Sequence, residues 1–109
     1  MSVLEKNSID YIYIEDNHII MGISDHLTWQ EEAIVAHWQL LQDKLKNYMG
    51  FIKSGQLFEQ YPEFDKQPCI KIFFSQKSPD VVDKYLNKLK KYYNELQCDL
   101  VWIYDPQED

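Results

Sequence analysis

Asp25 and His26 are neighbouring side chains that could carry out acid–base chemistry, and they fall where a predicted strand gives way to a helix. An imidazole titrates near neutral pH and can act as a general base, and loops at strand ends often hold functional sites. If the fold brought Cys69 or Cys98 close to His26, a Cys–His nucleophile would result. The simpler interpretation is that Asp25 and His26 organise the turn before the helix.

Other patterns that carry chemistry are missing from the sequence. The three glycines are too scattered for a phosphate-binding or dinucleotide-binding loop. No serine-hydrolase, zinc-protease, paired-cysteine or calcium-loop motif is present. His37 follows Glu31 and Glu32 and lies off the apolar stripe of a predicted helix, so we expect it to be exposed. The sequence predicts neither a cofactor nor a metal site.

A β-hairpin is predicted at the start of the chain. Residues 9–14 and 18–23 are rich in β-branched and aromatic side chains, as strands are. The polar segment 15–17 lies between them and ends in Asn17, which tolerates a positive φ. These three features together indicate strand, short turn and strand.

A long helix is predicted over about residues 29–54. Thr28 and Glu31 fit a capping box, and Lys53 with Gly55 is typical of a helix end. Apolar side chains recur at intervals of four and three, which places them on one face. They are Ile34, Trp38, Leu41, Leu45, Tyr48 and Ile52.

The second half of the chain predicts a loop, two strands and a second helix. Residues 55–68 read as an aromatic loop in which a short helical turn is possible, and residues 69–75 read as a strand. Ser78, Pro79 and Asp80 are typical of a helix start, and residues 99–104 read as the last strand.

The predicted fold class is α+β: a two-layer α/β sandwich in the order ββαβαβ. Each helix is apolar on one side only, which favours a mixed four-stranded sheet with two helices on one face. The last two strands should be parallel, joined by a right-handed crossover. The length of 109 residues fits one domain, 1–109, with a frayed acidic tail at 105–109.

Alternation along the strands predicts what the other face of the sheet carries. The side chains that we assign to the helix side are Ile12, Ile14, Ile19, Met21, Ile23, Ile70, Ile72, Phe74, Val101 and Ile103. The opposite side then holds a mainly aromatic set, which is typical of recognition surfaces. Its candidate binding residues are Tyr11, Tyr13, His18, Phe73, Trp102 and Tyr104. Either a partner or the 55–68 loop, with Phe58, Tyr61 and Phe64, would cover this surface.

The charge pattern bears on partners and compartment. The net charge is −7 and there is no arginine, the residue best suited to phosphate and guanine contacts, so we expect no nucleic-acid binding. No segment is long and apolar enough to span a membrane, and no signal peptide is visible. The two cysteines are far apart in sequence, which favours a reducing compartment, the cytoplasm.

Three segments carry a resemblance to a known family: Ile23–Trp29, Leu40–Tyr48, and Phe51–Leu57 with Tyr61–Pro62. Over about residues 1–75 the sequence resembles a family of small uncharacterised bacterial proteins, one of the domains of unknown function. The resemblance implies a stand-alone cytosolic bacterial protein with no assigned activity, cofactor or catalytic residue.

The sequence therefore predicts a non-enzymatic protein-binding module that forms a homodimer or binds another protein. One alternative is an immunity or inhibitor protein whose acids complement a basic partner. Another is a small hydrolase or transferase in which His26 is the base. RNA binding on the aromatic face is disfavoured by the acidic charge.

Overall fold

The computed structural model describes residues 11–63 and 67–106 of the chain. The strands are β1 (Tyr11–Glu15), β2 (His18–Asp25), β3 (Cys69–Phe74) and β4 (Asp99–Tyr104). The helices are α1 (Ile34–Lys53), α2 (Gln56–Gln60) and α3 (Asp80–Glu95). The strands form one sheet in the order β1-β2-β3-β4.

The sheet is mixed, as predicted. β1 is antiparallel to β2, while β2, β3 and β4 are parallel to one another. The β1–β2 turn consists of Asp16 and Asn17 at φ 52° and 66°. A two-residue turn with positive φ at both positions matches the twist of an antiparallel pair. Residues 9 and 10 of the predicted first strand lie outside the described residues.

The hydrophobic core lies between the sheet and the two long helices. The inward residues of β2 and β3, Leu100 of β4 and the apolar stripes of α1 and α3 form one buried cluster. Because α1 and α3 both contribute to this cluster, both pack on the same face. Tyr48 ties α1 to the sheet, since its hydroxyl donates a hydrogen bond to the Gly22 carbonyl oxygen at 2.5 Å. The predicted α+β architecture is confirmed.

Helix α1 begins later than predicted. Its first residue is Ile34, and Ala33 is the N-cap without a side-chain hydrogen bond. The Thr28 hydroxyl accepts from the Gln30 amide at 3.3 Å instead of capping the helix. The physical reason is a competing contact: His37 of α1 bonds the Thr28 carbonyl oxygen at 2.8 Å, which holds this segment beside the helix. The capping-box prediction is wrong.

The predicted 55–68 loop contains a third helix, α2. Gly55 adopts φ 85°, a left-handed conformation that ends α1 and turns the chain. Leu57 is then buried in the core on the helix side of the sheet. Phe64 of the same segment lies outside the described residues.

The side chains of β4 lie on the opposite faces of the sheet from those predicted. Ile72 pairs with Trp102, and Phe74 pairs with Tyr104. Side chains of paired residues lie on the same face, so Trp102 and Tyr104 belong to the helix side. Trp102 Nε1 donates to Asp83 Oδ1 of α3 at 3.2 Å, in agreement with that placement. Leu100 is the buried anchor that sets this register, so Val101 and Ile103 lie on the opposite face.

The predicted frayed tail is only partly described. The Asp105 amide donates to the Phe74 carbonyl oxygen at 2.7 Å, so this residue still follows the sheet. Residues 107–109 lie outside the described part of the chain.

Candidate functional site

The carboxyl ends of β2 and β3 bring Asp25, His26 and Ser75 to one edge of the sheet. The two strands are parallel and end at Asp25 and Phe74. The Ser75 amide donates a hydrogen bond to the Asp25 carbonyl oxygen at 2.9 Å. Ligands of open α/β sheets commonly bind at this end of parallel strands, so this edge is the first place to look for a site.

Asp25 binds His37 and not the adjacent His26. His37 Nε2 lies 2.8 Å and 2.6 Å from the two carboxylate oxygens of Asp25. His37 Nδ1 lies 2.8 Å from the Thr28 carbonyl oxygen and must donate to it, since a carbonyl only accepts. The Leu27 amide donates to Asp25 Oδ1 at 3.1 Å. The prediction that His37 is exposed is wrong, because its exposed fraction is 2%.

Trp29 closes this pair off from solvent. Its ring stacks on His37 with a centroid distance of 3.4 Å and meets Phe74 edge-on at 5.7 Å. Asp25 itself is 0% exposed. A substrate could reach the pair only if the indole moved away. The Asp25–His37 pair is therefore a structural link that ties the end of β2 to α1.

Trp29 carries an unsatisfied polar atom within the described structure. Its Nε1 is buried and has no hydrogen-bond partner. A buried N–H without a partner is unfavourable by about 1–3 kcal/mol. The stacking and edge contacts of the indole must offset this penalty.

His26 makes a separate and exposed contact. Its Nδ1 lies 2.6 Å from the Ser75 Oγ, and no cysteine or carboxylate accompanies it among residues 11–63 and 67–106. A hydroxyl bonded to an imidazole is the first requirement for an activated serine. The carboxylate that could orient the imidazole, Asp25, is bound to His37. The site thus has two of the three groups of a serine triad.

The cysteines lie at the opposite end of the sheet. Cys69 begins β3 and Cys98 directly precedes β4, whereas His26 follows the last residue of β2. The length of β3 separates the two ends by roughly 16 Å. Burial raises the pKa of the Cys69 thiol to about 11 and that of Cys98 to about 12, so neither is a thiolate at neutral pH. The Cys–His nucleophile is excluded by this geometry.

The second candidate site is the sheet face opposite the helices, which we call the open face. The register places Tyr11, Tyr13, Phe73, Val101 and Ile103 on it. The ring centroid of Tyr11 lies 6.0 Å from that of Tyr13 and 6.1 Å from that of Phe73. All three rings are half-buried, and Ile103 is 39% exposed. This is a continuous aromatic and aliphatic surface.

Gly22 is part of the same surface. A Cβ at this position would collide with the ring of Tyr11. The ring therefore lies flat against the backbone of β2, which only glycine permits here. Ile20, next on the same face, is 5% exposed and lies in register with Tyr13 of β1. The open face is built by side chains that pack on each other.

The charged groups on the open face partly cancel. Lys71 Nζ lies 3.9 Å from Glu15 Oε1 and 5.3 Å from the centroid of Phe73. His18 lies in register with Glu15 across the hairpin and is exposed. Desolvation and the Glu15 charge raise the pKa of Tyr13, which keeps its hydroxyl neutral.

The 55–68 segment does not cover the open face in its described part. Leu57 and Tyr61 pack against the core on the helix side. Phe58 is 37% exposed beside the end of α1. The alternative in which this segment closes over the aromatic rings is therefore not supported by residues 55–63 and 67–68.

His37 and Ser75 belong to the strand-end site, and neither was predicted there from the sequence. His37 lies four residues before Leu41, so it is adjacent to the apolar stripe of α1 and could have been placed inward. Ser75 directly follows the third strand, and the parallel pairing of that strand with β2 is the signal that would bring it to His26. Lys44, three residues after Leu41, is also 0% exposed, with Nζ 5.7 Å from the Tyr48 ring centroid.

Within the described residues, no three His, Cys, Asp or Glu side chains come together as a metal ion requires. The helices described here are also too short or too polar to cross a membrane. The fold and its sites define a class: an α+β protein with one helix-covered and one open sheet face. The family of unknown function DUF6572 matches residues 1–105, and the chain belongs to that family. No curated protein and no solved structure matches the chain.

Proposed function

We propose that this chain is a non-enzymatic binding module and that its open face pairs with the open face of a second copy. The observation that supports this is the cluster of Tyr11, Tyr13 and Phe73, half-buried on a face that no described element covers. Antiparallel and mixed sheets that face water usually present polar side chains there. Aromatic residues are enriched where proteins contact one another.

Charge supports pairing through this face. The chain carries −7 overall, so two copies repel each other at most orientations. On the open face Lys71 offsets Glu15, which leaves Asp99 as the other charged residue that the described strands place on this face. A two-fold pairing would place identical aromatic clusters against each other, as an isologous interface requires.

The compartment and partner class are part of this proposal. Both cysteines are free and buried, which suits a reducing cytoplasm. With an acidic chain and no arginine, nucleic acid is a poor partner for the aromatic rings. We therefore place the module in the cytoplasm with a protein partner.

The test is the mass in solution by light scattering during size exclusion. We expect the wild type at twice the 13.1 kDa chain mass, and Tyr13→Lys and Phe73→Lys as folded monomers. A lysine in the centre of the paired faces would bury an unpaired charge, which is strongly unfavourable. Trp102→Lys is unsuitable, because Trp102 bonds Asp83 on the helix side.

Val35→Lys is the matched control, since Val35 is 80% exposed at the start of α1. It should remain a dimer with an unchanged circular dichroism spectrum. A monomeric wild type at high micromolar concentration would overturn the self-association. Equal loss of the dimer in Val35→Lys would show that added positive charge, and not the open face, controls assembly.

A second candidate function rests on the 2.6 Å contact between His26 Nδ1 and Ser75 Oγ. In a small hydrolase or transferase, His26 would take the Ser75 proton as the hydroxyl attacks an ester carbonyl. It would then give that proton to the departing alcohol as the acyl–oxygen bond breaks, which leaves an acyl-serine. A fluorophosphonate probe should then label the wild type and not Ser75→Ala, and His26→Ala should slow labelling. Absence of labelling in the wild type would remove this candidate.

A second version of the binding proposal is an immunity or inhibitor role with a basic partner. Its acids would be Glu31, Glu32, Glu59 and Glu63, which are exposed, and the half-buried Asp43. Asp43 already accepts a hydrogen bond from Gln39 at 3.0 Å, and Asp65 lies outside the described residues. Binding to a basic protein that weakens steeply with salt would favour this version over self-association.

A further inference from the structure

A groove runs between the last two turns of α1 and the last two turns of α3. Its walls are two helical stripes of equal length, each made of residues i, i+3, i+4 and i+7. They are Lys46, Met49, Gly50 and Lys53 of α1, and Leu89, Tyr92, Tyr93 and Leu96 beside them. The groove encloses about 330 Å³, within the range of small-molecule sites.

The floor of this groove is apolar and its edge is incompletely covered. Met49 and Tyr93 are buried at 5% and 6% exposure, whereas Tyr92 and Leu96 remain 47% and 37% exposed. Burial raises the pKa of Tyr93 to about 12, so its hydroxyl adds no charge. An alkyl chain lying here would remove exposed apolar surface from water.

Lys53 marks one end of the groove with a positive charge. Its Nζ lies 5.9 Å from the Tyr92 ring centroid, and no carboxylate pairs with it among the described residues. Lys53 and Leu96 also line a neighbouring, more polar cavity with Gln67 and Gln97. An apolar groove that opens beside an ammonium with no carboxylate partner among residues 11–63 and 67–106 favours an anionic ligand.

Gly50 keeps the groove open. Glycine in a helix interior is less favourable than alanine by about 1 kcal/mol. A Cβ at Gly50 would meet nothing within 4 Å, so close packing does not explain the glycine. Its missing side chain leaves space between the two lysines of the α1 wall.

We propose that this groove binds an anionic amphiphile with a single carboxylate and an unbranched alkyl chain, such as a medium-chain fatty acid. The alkyl chain lies along Met49, Leu89 and Tyr93 for two helical turns, about 10 Å. The carboxylate is at the polar end, beside Lys53. One point charge suits a carboxylate better than a phosphate, which favours several donors or an arginine fork. The open face lies on the other side of the sheet, so this proposal is independent of dimer formation.

The experiment is calorimetric titration of the full chain with sodium decanoate below its micelle concentration. We expect saturable binding of one decanoate per chain, weaker at high salt. Gly50→Leu should abolish binding, because its side chain fills the groove. Ala36→Leu, four turns earlier on α1 and also exposed, is the matched control and should bind as the wild type does.

The role of the Lys53 charge is tested by a second matched pair of variants. Lys53→Gln should weaken decanoate binding about fivefold, the effect of a partly exposed ion pair. Lys46→Gln removes the same charge at the far end and should change binding less than twofold. Decanamide, which has the chain without the charge, should bind the wild type about as weakly as decanoate binds Lys53→Gln.

Three results would overturn the proposal. The first is no saturable decanoate binding, or equal binding by Gly50→Leu and wild type. The second is equal binding of decanoate and decanamide, which would leave no role for Lys53. The third is a lower solution mass for Gly50→Leu than for Ala36→Leu, which would make the groove an interface between copies. Unchanged circular dichroism of the variants keeps each result interpretable.

Discussion

The two faces of the sheet are formed by the same four strands, but the two long helices cover only one of them. On the covered face, Ile23 and Ile72 are 0% exposed beneath the long helices. On the open face, Tyr11 and Phe73 are half-buried and depend on each other for cover. Strand residues alternate between faces, so each strand meets both environments. Apolar composition alone therefore does not reveal which side of a strand receives the helices.

The free cysteines divide between the same two environments. Cys98 belongs to the buried cluster between sheet and helices. Cys69 lies in register with Ile20 and Asp99, on the open-face side, at 9% exposure. Burial raises the pKa of both thiols, and more so on the covered side. The pKa values of the two cysteines therefore reflect the burial of both faces.

The largest expected effect is on the covered face, at the Asp25–His37 pair. Asp25→Ala should lower the free energy of unfolding by about 3–5 kcal/mol, because it leaves a buried imidazole without its partner. The measurement is urea unfolding followed by circular dichroism. His26→Ala, at the exposed neighbour, is the control and should change stability by less than about 0.5 kcal/mol. Equal losses in the two variants would contradict the structural role of the pair.

The open face is tested next by Gly22→Ala. The added methyl would displace the Tyr11 ring, and we expect a loss of about 1–3 kcal/mol. The matched control is the same change in a Tyr11→Ala background, where the ring is absent. There Gly22→Ala should be neutral or stabilising, since alanine restricts the unfolded chain. Additive losses in the double variant would show that Gly22 and Tyr11 do not contact each other.

The smallest effect, taken per pH unit, compares the two cysteines at alkaline pH. A thiol whose pKa is raised by folding contributes stability that is complete below pH 9.0, its ordinary pKa. That contribution is lost as pH rises, over 9.0 to about 11 for Cys69 and to about 12 for Cys98. The slope per thiol is up to about 1.4 kcal/mol per pH unit.

Urea midpoints measured between pH 8 and 11 would check this prediction, because both thiols have raised pKa values in the folded state. The stability of Cys98→Ala should fall less steeply with pH than that of the wild type. Cys69→Ala should show the same reduced slope as Cys98→Ala up to about pH 11. Because the variants are compared by slope, a stability change from the substitution itself does not matter. Parallel slopes in all three proteins would mean that neither thiol is perturbed.

Much of the fold follows from local pattern. The hairpin turn at Asp16–Asn17, the apolar stripe of α1 and the parallel β3–α3–β4 unit were all predictable, because each depends on neighbours in sequence. Which face of the sheet each β4 side chain lies on was not predictable in this way. Asp99–Tyr104 alternates between apolar residues on both sides, so either face could have been buried. The contact between Trp102 and Asp83, in another element, is part of what decides it.

The candidate site was predicted only in position. The sequence placed Asp25 and His26 at a strand–helix junction, where the structure also has them. The partners of these side chains were not predicted: Asp25 binds His37, twelve residues later, and His26 binds Ser75, which follows the neighbouring strand β3. Both contacts depend on how α1 and β3 approach the end of β2, which no local spacing encodes.

Local side-chain patterns establish most of the elements and the amphipathic character of each, since these arise from side-chain periods of 2 and 3.6 residues. Only the tertiary structure decided which polar groups are buried and which aromatic groups remain at the surface. The physical reason is that burial is a property of the assembled layers. His37 is enclosed because Trp29 folds over it, and Tyr13 stays accessible because α1 and α3 both pack on the other side.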